Sequence, residues 1–494
     1  MRMTRGLTPR LASRRVVLGM VCAATVLTVS VASASAAPDD LLKDEAHFLQ
    51  QSSKSYTGGE KAAQVFNMEV VGQSDLGGRG FNGDVWVHEG YAYVGHWGFQ
   101  DWASGSKNRF CPEPPASGVA VVDATDPENP HVVATLQNPP GTSAEDVVVY
   151  TAPYGPFAGR DIAVAGIQTC ESRFDPQADR GLIFWDVTDP SAPTQVGYFH
   201  TACCTRGVHE FEVEHRADLG RTFAYATVPT SRYPESDSPS GYRDVNGHGD
   251  FRLIDITNPA AAFQTSDFGI QDAGGPFSDG QGCDADANYG HGAEPSDDGT
   301  LVFVSYWDSG FVALDVTDPT TPVYQGRTIY PADADGDAHS SSYDDARQLL
   351  FSADEDFCKT SGPDIETGYG YLRIWDYSDL SSPVQIGQFR PPNSLGLNAQ
   401  GSGDYSIHNA LVVGTDVYAS WYSDGVRVID AADPTSPTEV AYFVPPAGQN
   451  SVKPPQRGVL SQMPQVWGVV VDEATGLIYA SDMNTGLWIL RRTD

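Results

Sequence analysis

Four histidines occupy equivalent places in four consecutive segments: His209 in Gly207-VHEFEV, His291 in Tyr289-GHGAEP, His339 in Asp337-AHSSSY and His408 in Ser406-IHNALV. The same alignment places Gly83, Glu145 and Trp467 there in the remaining segments. Neutral imidazoles are ligands for zinc, iron or copper, and four of them suffice for a complete site or a partly open one. Only 11 of the 494 residues are histidine, so any given position is His about 2% of the time and a fourfold coincidence is a poor explanation. Descent of the segments from one parent is the competing account, with the histidines merely hydrogen-bonding in a wet ring. Glu145, Asp146, Glu210 and Asn409 stand beside these positions and are candidates for orienting the imidazoles from outside the metal's own shell.

Side chains from separate segments meet only if the segments repeat one structural unit. Six share a pattern: Gly118-VAVVDATDPENP, Gly181-LIFWDVTDPSAP, Asp250-FRLIDITNPAAA, Gly310-FVALDVTDPTTP, Tyr371-LRIWDYSDLSSP and Gly425-VRVIDAADPTSP. Their apolar runs end at Asp123, Asp186, Asp255, Asp315, Asp376 and Asp430, spaced 63, 69, 60, 61 and 54 residues apart. Each unit reads strand, tight turn, strand, because Asp-Pro opens a turn and the closing Pro keeps it out of either strand. A further strand pair precedes each motif, as in Val85-WVHEGYAYVGHW and Ala410-LVVGTDVYASWY. Four strands per unit and no helical period predict an all-β, seven-bladed β-propeller of four-stranded blades over residues 63–494.

The motif resembles the LVIVD-repeat family of bacterial secreted and surface propellers. The resemblance implies fold and location, and brings no catalytic residues to carry over. Two copies depart from the pattern: the third has Asn258 for Asp and no closing Pro, and the fifth has Leu380 for Pro. Gly486-LWILRRTD aligns with Gly425-VRVIDAAD, so the last unit lacks a fourth strand within the sequence. Phe66-NMEVVGQSDL is similar to the missing element, and the expectation is that this N-terminal strand completes the last blade and closes the ring. The innermost strands would then bring the four histidines together at the mouth of a channel. Carotenoid-cleaving oxygenases hold iron on four histidines in a seven-bladed propeller, an analogy of fold alone.

Five arginines, Arg2 to Arg15, precede the apolar run Val16–Val31 and the small-residue tract ending at Ala36, so residues 1–36 read as a secretory signal. Ser13-Arg14-Arg15-Val16-Val17-Leu18 resembles the twin-arginine consensus, a route that exports folded cargo. Residues 37–62 read as a polar leader. The expected location is secreted or extracellular, with cell-surface association open and no membrane span.

Six cysteines follow the signal, Cys111, Cys170, Cys203, Cys204, Cys283 and Cys358, enough for three disulfides. Adjacent Cys203 and Cys204 are expected to join different partners, because a ring between neighbours is strained. The long connections Gly98–Ser117, Gln168–Arg180, Pro229–Asp250, Asp272–Tyr289, Glu355–Gly370 and Pro445–Gln465 lie on the face where the histidines converge, and all six cysteines are expected in or beside connections of that face. Asp333, Asp335 and Asp337 resemble the start of a calcium loop that lacks its bidentate Glu. Asp244-VNGHGD and Asp354-Glu-Asp356 are similar oxygen-rich stretches.

A net charge of −34 excludes nucleic acid and anionic lipid as partners, since both demand a basic footprint. No G-x-S-x-G elbow, HExxH, Walker loop or dinucleotide fingerprint occurs. Two functions remain. One is a monomeric binding protein that holds a metal in its channel and engages an extracellular or cell-wall ligand, or a small molecule at the channel mouth. The other is a metal-dependent oxidoreductase or lyase acting on a small molecule through the four histidines.

Overall fold

The computed structural model describes residues 63–494 apart from 101–108, 171–174, 230–242, 245, 278–287, 332, 333, 335, 358–368, 395–402, 449 and 453–461. The expected signal (1–36) and expected leader (37–62) lie outside the described residues, as do Cys283, Cys358, Asp333 and Asp335. The described residues contain no α-helix, only four short 3-10 turns.

Strands pair antiparallel with their chain neighbours, giving sets of four. The first set is Asn82–His88, Tyr91–His96, Val119–Asp123 and His131–Leu136; the second is Thr142–Thr151, Asp161–Thr169, Gly181–Asp186 and Thr194–His200. One residue pair, His96 with Ala144, fuses these two into a single sheet. The next three sets begin at Phe211–Arg216, Ala293–Pro295 and Ala338–Asp344, each a separate four-stranded sheet. A sixth begins at Ala410–Val413. The last contains Val466–Asp472, Leu477–Asp482, Gly486–Arg492 and, from the other end of the chain, Met68–Ser74.

The N-terminal segment is not one continuous strand. Gln64–Phe66 pairs with Thr438–Val444 of the sixth set, and Met68–Ser74 pairs with Gly486–Arg492. The break is at Asn67, whose φ of +48° redirects the chain while its side-chain amide donates to the Val440 carbonyl at 2.9 Å.

The repeated motif is legible in its hydrogen bonds. Asp123 accepts from the Thr125 N–H at 3.0 Å, and Asp126 accepts from Glu128 N–H at 3.3 Å. In the fourth set Asp315 accepts from Thr317 N–H at 2.8 Å and Asp318 from Thr320 N–H at 2.9 Å. Both aspartates of D-x-S/T-D-P thus brace the turn by bonding two residues ahead. In the third copy Asn258 makes no such cap, and Pro259–Ala261 forms a 3-10 turn instead.

That turn also sets the spacing between sheets. Every third-to-fourth strand pairing carries a register shift, for instance at Phe184/Trp185, Ala313/Leu314 and Ile374/Trp375. Beyond the shift, several outer strands place a glycine against the turn carbonyl of the next set. A Cβ would lie 1.9 Å from Pro259 O at Gly197, 2.0 Å from Leu380 O at Gly326 and 1.8 Å from Pro434 O at Gly387. At Gly72, in the strand supplied by the N-terminal region, a Cβ would likewise collide with Pro127 O of the first set. Apolar clusters fill the space between neighbours, such as Val148, Ile162 and Phe184 with Phe211, Ala224 and Ile254. Tyr479, Leu487 and Ile489 of the last set pack with Val85, Val94 and Val122 of the first.

Cys111 and Cys170 are bonded, with Cα atoms 5.7 Å apart, joining long connections of the first two sets. Cys203 and Cys204 are bonded to each other, which corrects the expectation of separate partners. The peptide bond between them is cis and their Cα atoms are 3.0 Å apart.

Gly387→Ala should destabilise the protein by about 2–3 kcal/mol, because the new methyl forces the Pro434 turn away from the sheet. Denaturant unfolding measures it; an unchanged midpoint would show that this contact does not set the spacing.

Candidate metal centre

Each aligned position lies near the start of the first strand of its set, where pairing is irregular, Glu145 falling in the register shift between Ala144 and Val147. His209, His291 and His408 precede Phe211, Ala293 and Ala410, the first residues of their strands. His339, Gly83 and Trp467 fall within register shifts at Ala338/Ser340, Asn82/Val85 and Val466/Val469. An irregularity of this kind re-aims a side chain that regular alternation would turn away. It lets one residue reach the centre while the next also faces inward.

The four histidines meet there. His209 Nε2 is 2.7 Å from His291 Nε2, and ring centroids lie 3.9 Å apart for His291 and His339 and 4.4 Å for His339 and His408. All four are buried. His209 Nδ1 is 2.9 Å from Glu145 Oε2, and Glu145 Oε1 accepts from Trp467 Nε1 at 3.1 Å. The aligned residues of the second and last sets therefore tie the ring to its neighbours. His408 Nδ1 donates to the Trp467 carbonyl at 2.8 Å, which leaves its Nε2 as the bare lone pair, buried and without a hydrogen-bond partner.

Of the four residues expected around the ring, Glu145 is on His209 as anticipated. Glu210 stands closer in than that, with Oε2 3.5 Å from His291 Nδ1 and Oε1 3.7 Å from His339 Nε2. Asp146 and Asn409 turn elsewhere: Asp146 accepts from Phe211 N–H at 2.9 Å, and Asn409 donates to Asp84 at 2.7 Å. Glu355 was not anticipated as a partner of the ring. Its Oε2 lies 3.5 Å from His339 Nε2, while Oε1 accepts from the Tyr422 hydroxyl. The only signal for it was its place in the oxygen-rich stretch Asp354-Glu-Asp356. Asp337 is buried, and its carbonyl accepts from the Glu355 N–H at 2.9 Å. His215 and His248 lie apart, on Thr222 and Asp267.

Three overlapping groups, His209–Glu210–His291, Glu210–His339–His408 and His291–His339–Glu355, each bring their ligand atoms within 4.8 Å of one another and could hold a metal ion. Two nitrogens on a tetrahedral zinc at about 2.05 Å sit roughly 3.3 Å apart. The pair His209–His291 would open by a few tenths of an ångström to accept one, exchanging a hydrogen bond for two coordinate bonds. The donor set fits a borderline transition metal, since imidazoles predominate.

Burial pushes His408 down to about 3 and His339 well below the ordinary imidazole value, the latter also through repulsion from His408 and His209. Both are neutral, the form a metal requires. Glu210 is held well above the usual carboxyl range by burial, then by repulsion from Glu145 and Asp146.

Fold and site together describe an all-β repeat protein that gathers histidine and glutamate at the point where its innermost strands converge. The family model for the LVIVD repeat matches residues 79–99 and 298–328, so the chain carries LVIVD repeats, as the turn motifs indicated. The second match spans the fourth motif copy; the first covers the opening strand pair, ahead of any copy. No curated protein matches this chain. No helix among the described residues is long and apolar enough to cross a membrane.

The depressed imidazoles give a signed pH dependence. An unfolded chain protonates them near pH 6.5, whereas the folded one refuses the proton until about 3 at His408, so ion-free protein loses stability as pH falls through that window. Glu210 works in the opposite sense, its contribution falling as pH rises above about 4.5. His339→Gln/His408→Gln should therefore flatten the loss between pH 6.5 and 4 when melting temperature is followed in chelator. An identical slope in the variant would contradict neutral imidazoles.

Proposed function

We propose that the chain is an exported LVIVD-repeat binding protein whose seven strand sets form the blades of a closed β-propeller. In this reading His209, His291, His339 and His408 hold one transition metal at the channel mouth. The observation that carries it is the burial together of four imidazoles from four consecutive sets, with His408 Nε2 unpartnered among them. A buried, bare nitrogen is costly unless something takes its lone pair. Glu145, Glu210 and Glu355 supply negative charge next to the ring, which offsets the cation that neutral imidazoles leave uncompensated. Export is supported by the N-terminal arginine-rich apolar segment and by the Cys111–Cys170 bond between long connections. The extracellular or cell-wall ligand is assigned to the long connections, where binding residues commonly lie.

A metal-dependent oxidoreductase or lyase is the second reading. It is favoured by the aromatic wall beside the ring: Trp467 and Tyr422 centroids lie 4.2 and 5.2 Å from His408, and Trp307 lies 5.4 Å from His291. Such a wall suits a small apolar molecule. An octahedral metal such as iron on four imidazoles keeps two positions free. The chain's part would be to orient that molecule and exclude water, with the metal supplying Lewis-acid or redox chemistry.

Protein purified through its own export route should contain about one transition-metal ion per chain by mass spectrometry, and His291→Ala/His339→Ala should contain less than a tenth of that. Metal-free wild type, or metal retained by the variant, ends both readings of the ring.

A further inference from the structure

The residue after each aligned position also faces inward. Asp84, Asp146, Glu210 and Asn409 occupy that place, and with Glu212 and Glu294 they line a cavity of about 130 Å³ beside the histidines. Among the described residues no Lys, Arg or His borders it. Five carboxylates therefore surround one small space, and Glu210 alone of them also approaches histidines among the described residues.

Their hydrogen bonds come from neutral donors. Asp84 accepts from Asn409 at 2.7 Å and from Val85 N–H at 3.0 Å, Asp146 from Phe211 N–H at 2.9 Å, and Glu294 from Tyr343 N–H at 3.0 Å. Glu210 supplies an independent sign of a missing ligand. It is only 9% exposed, borders the cavity, and its Oε1 has no hydrogen-bond partner, the nearest basic atom being His339 Nε2 at 3.7 Å. The amide oxygen of Asn409, a good ligand for a hard cation, is likewise buried without a partner. Burial, reinforced by mutual repulsion, pushes Asp84 up to about 7 and Glu212 and Glu294 well above the usual range. Buried carboxylates in such a setting are relieved by a proton or by a cation.

We propose that this cavity is a second cation site, distinct in chemistry from the histidine ring, that takes a partly hydrated divalent cation of the calcium class on Asp84, Asp146, Glu210, Glu212 and Glu294. Oxygen ligands select a hard cation, whereas the imidazoles select a borderline one. The cavity has room for an ion with a few of its waters, each needing about 30 Å³. Glu210 borders both sites and would couple their occupancy.

Terbium is the probe, because Trp86 lines the cavity and can sensitise its emission. Full-length chelator-treated protein should show saturable terbium luminescence that calcium competes away. Glu212→Gln/Glu294→Gln should weaken it at least tenfold, whereas His291→Ala/His339→Ala should keep it. The histidine reading can therefore fail without this one failing. Calcium should also raise the melting temperature of the wild type, a readout that needs no variant to fold. Absence of a saturable shift, or emission unchanged in the glutamine variant, would overturn the proposal and leave the carboxylates protonated.

Discussion

The spacing of the sheets rests on a contact between a turn carbonyl and a glycine. A bulged outer strand offers Gly72, Gly197, Gly326 or Gly387, and the next set's turn presses its carbonyl into the gap that a side chain would fill. Where the third set has no glycine, Ser266 donates to Pro319 O at 2.8 Å and meets the same turn with a hydrogen bond. Sheets held this closely at their outer strands bring their innermost strands together, and whatever side chains start those strands are forced into one buried place. The polar centre is thus a consequence of packing at the periphery.

Two layers with different chemistry result from one irregularity. The aligned residue sits where strand pairing slips, so it and its successor both face inward. The first position collects imidazoles, and the second collects carboxylates and an amide. Burial acts on them in opposite directions, stripping protons from His339 and His408 and pressing them onto Glu210 and Asp84. One physical cause, burial, thus disfavours charge on these four groups in both layers, and a cation in either would find lone pairs or carboxylates already in place.

Much of this was legible in the sequence because it repeats. The turn motif carries its hydrogen-bond pattern in residue types at fixed offsets, and the histidine column follows from aligning units of one architecture. Reading one position further along the same alignment would have found Asp84 beside Asp146, Glu210 and Asn409. Glu355 could not be found this way, since it belongs to a connection after a second strand and reaches His339 only through the fold. Cys203 and Cys204 resisted for a different reason: the pairing of six cysteines is not encoded in their spacing.

The last sheet has a consequence in time. Met68–Ser74 is made long before its partner Gly486–Arg492, so one edge of that sheet stays unpaired until the later strand emerges. Until then the early strand can neither join its ladder nor seat Gly72 on the Pro127 turn, whatever the intervening sets have achieved. A chain interrupted before Gly486 therefore leaves that early strand without its partner.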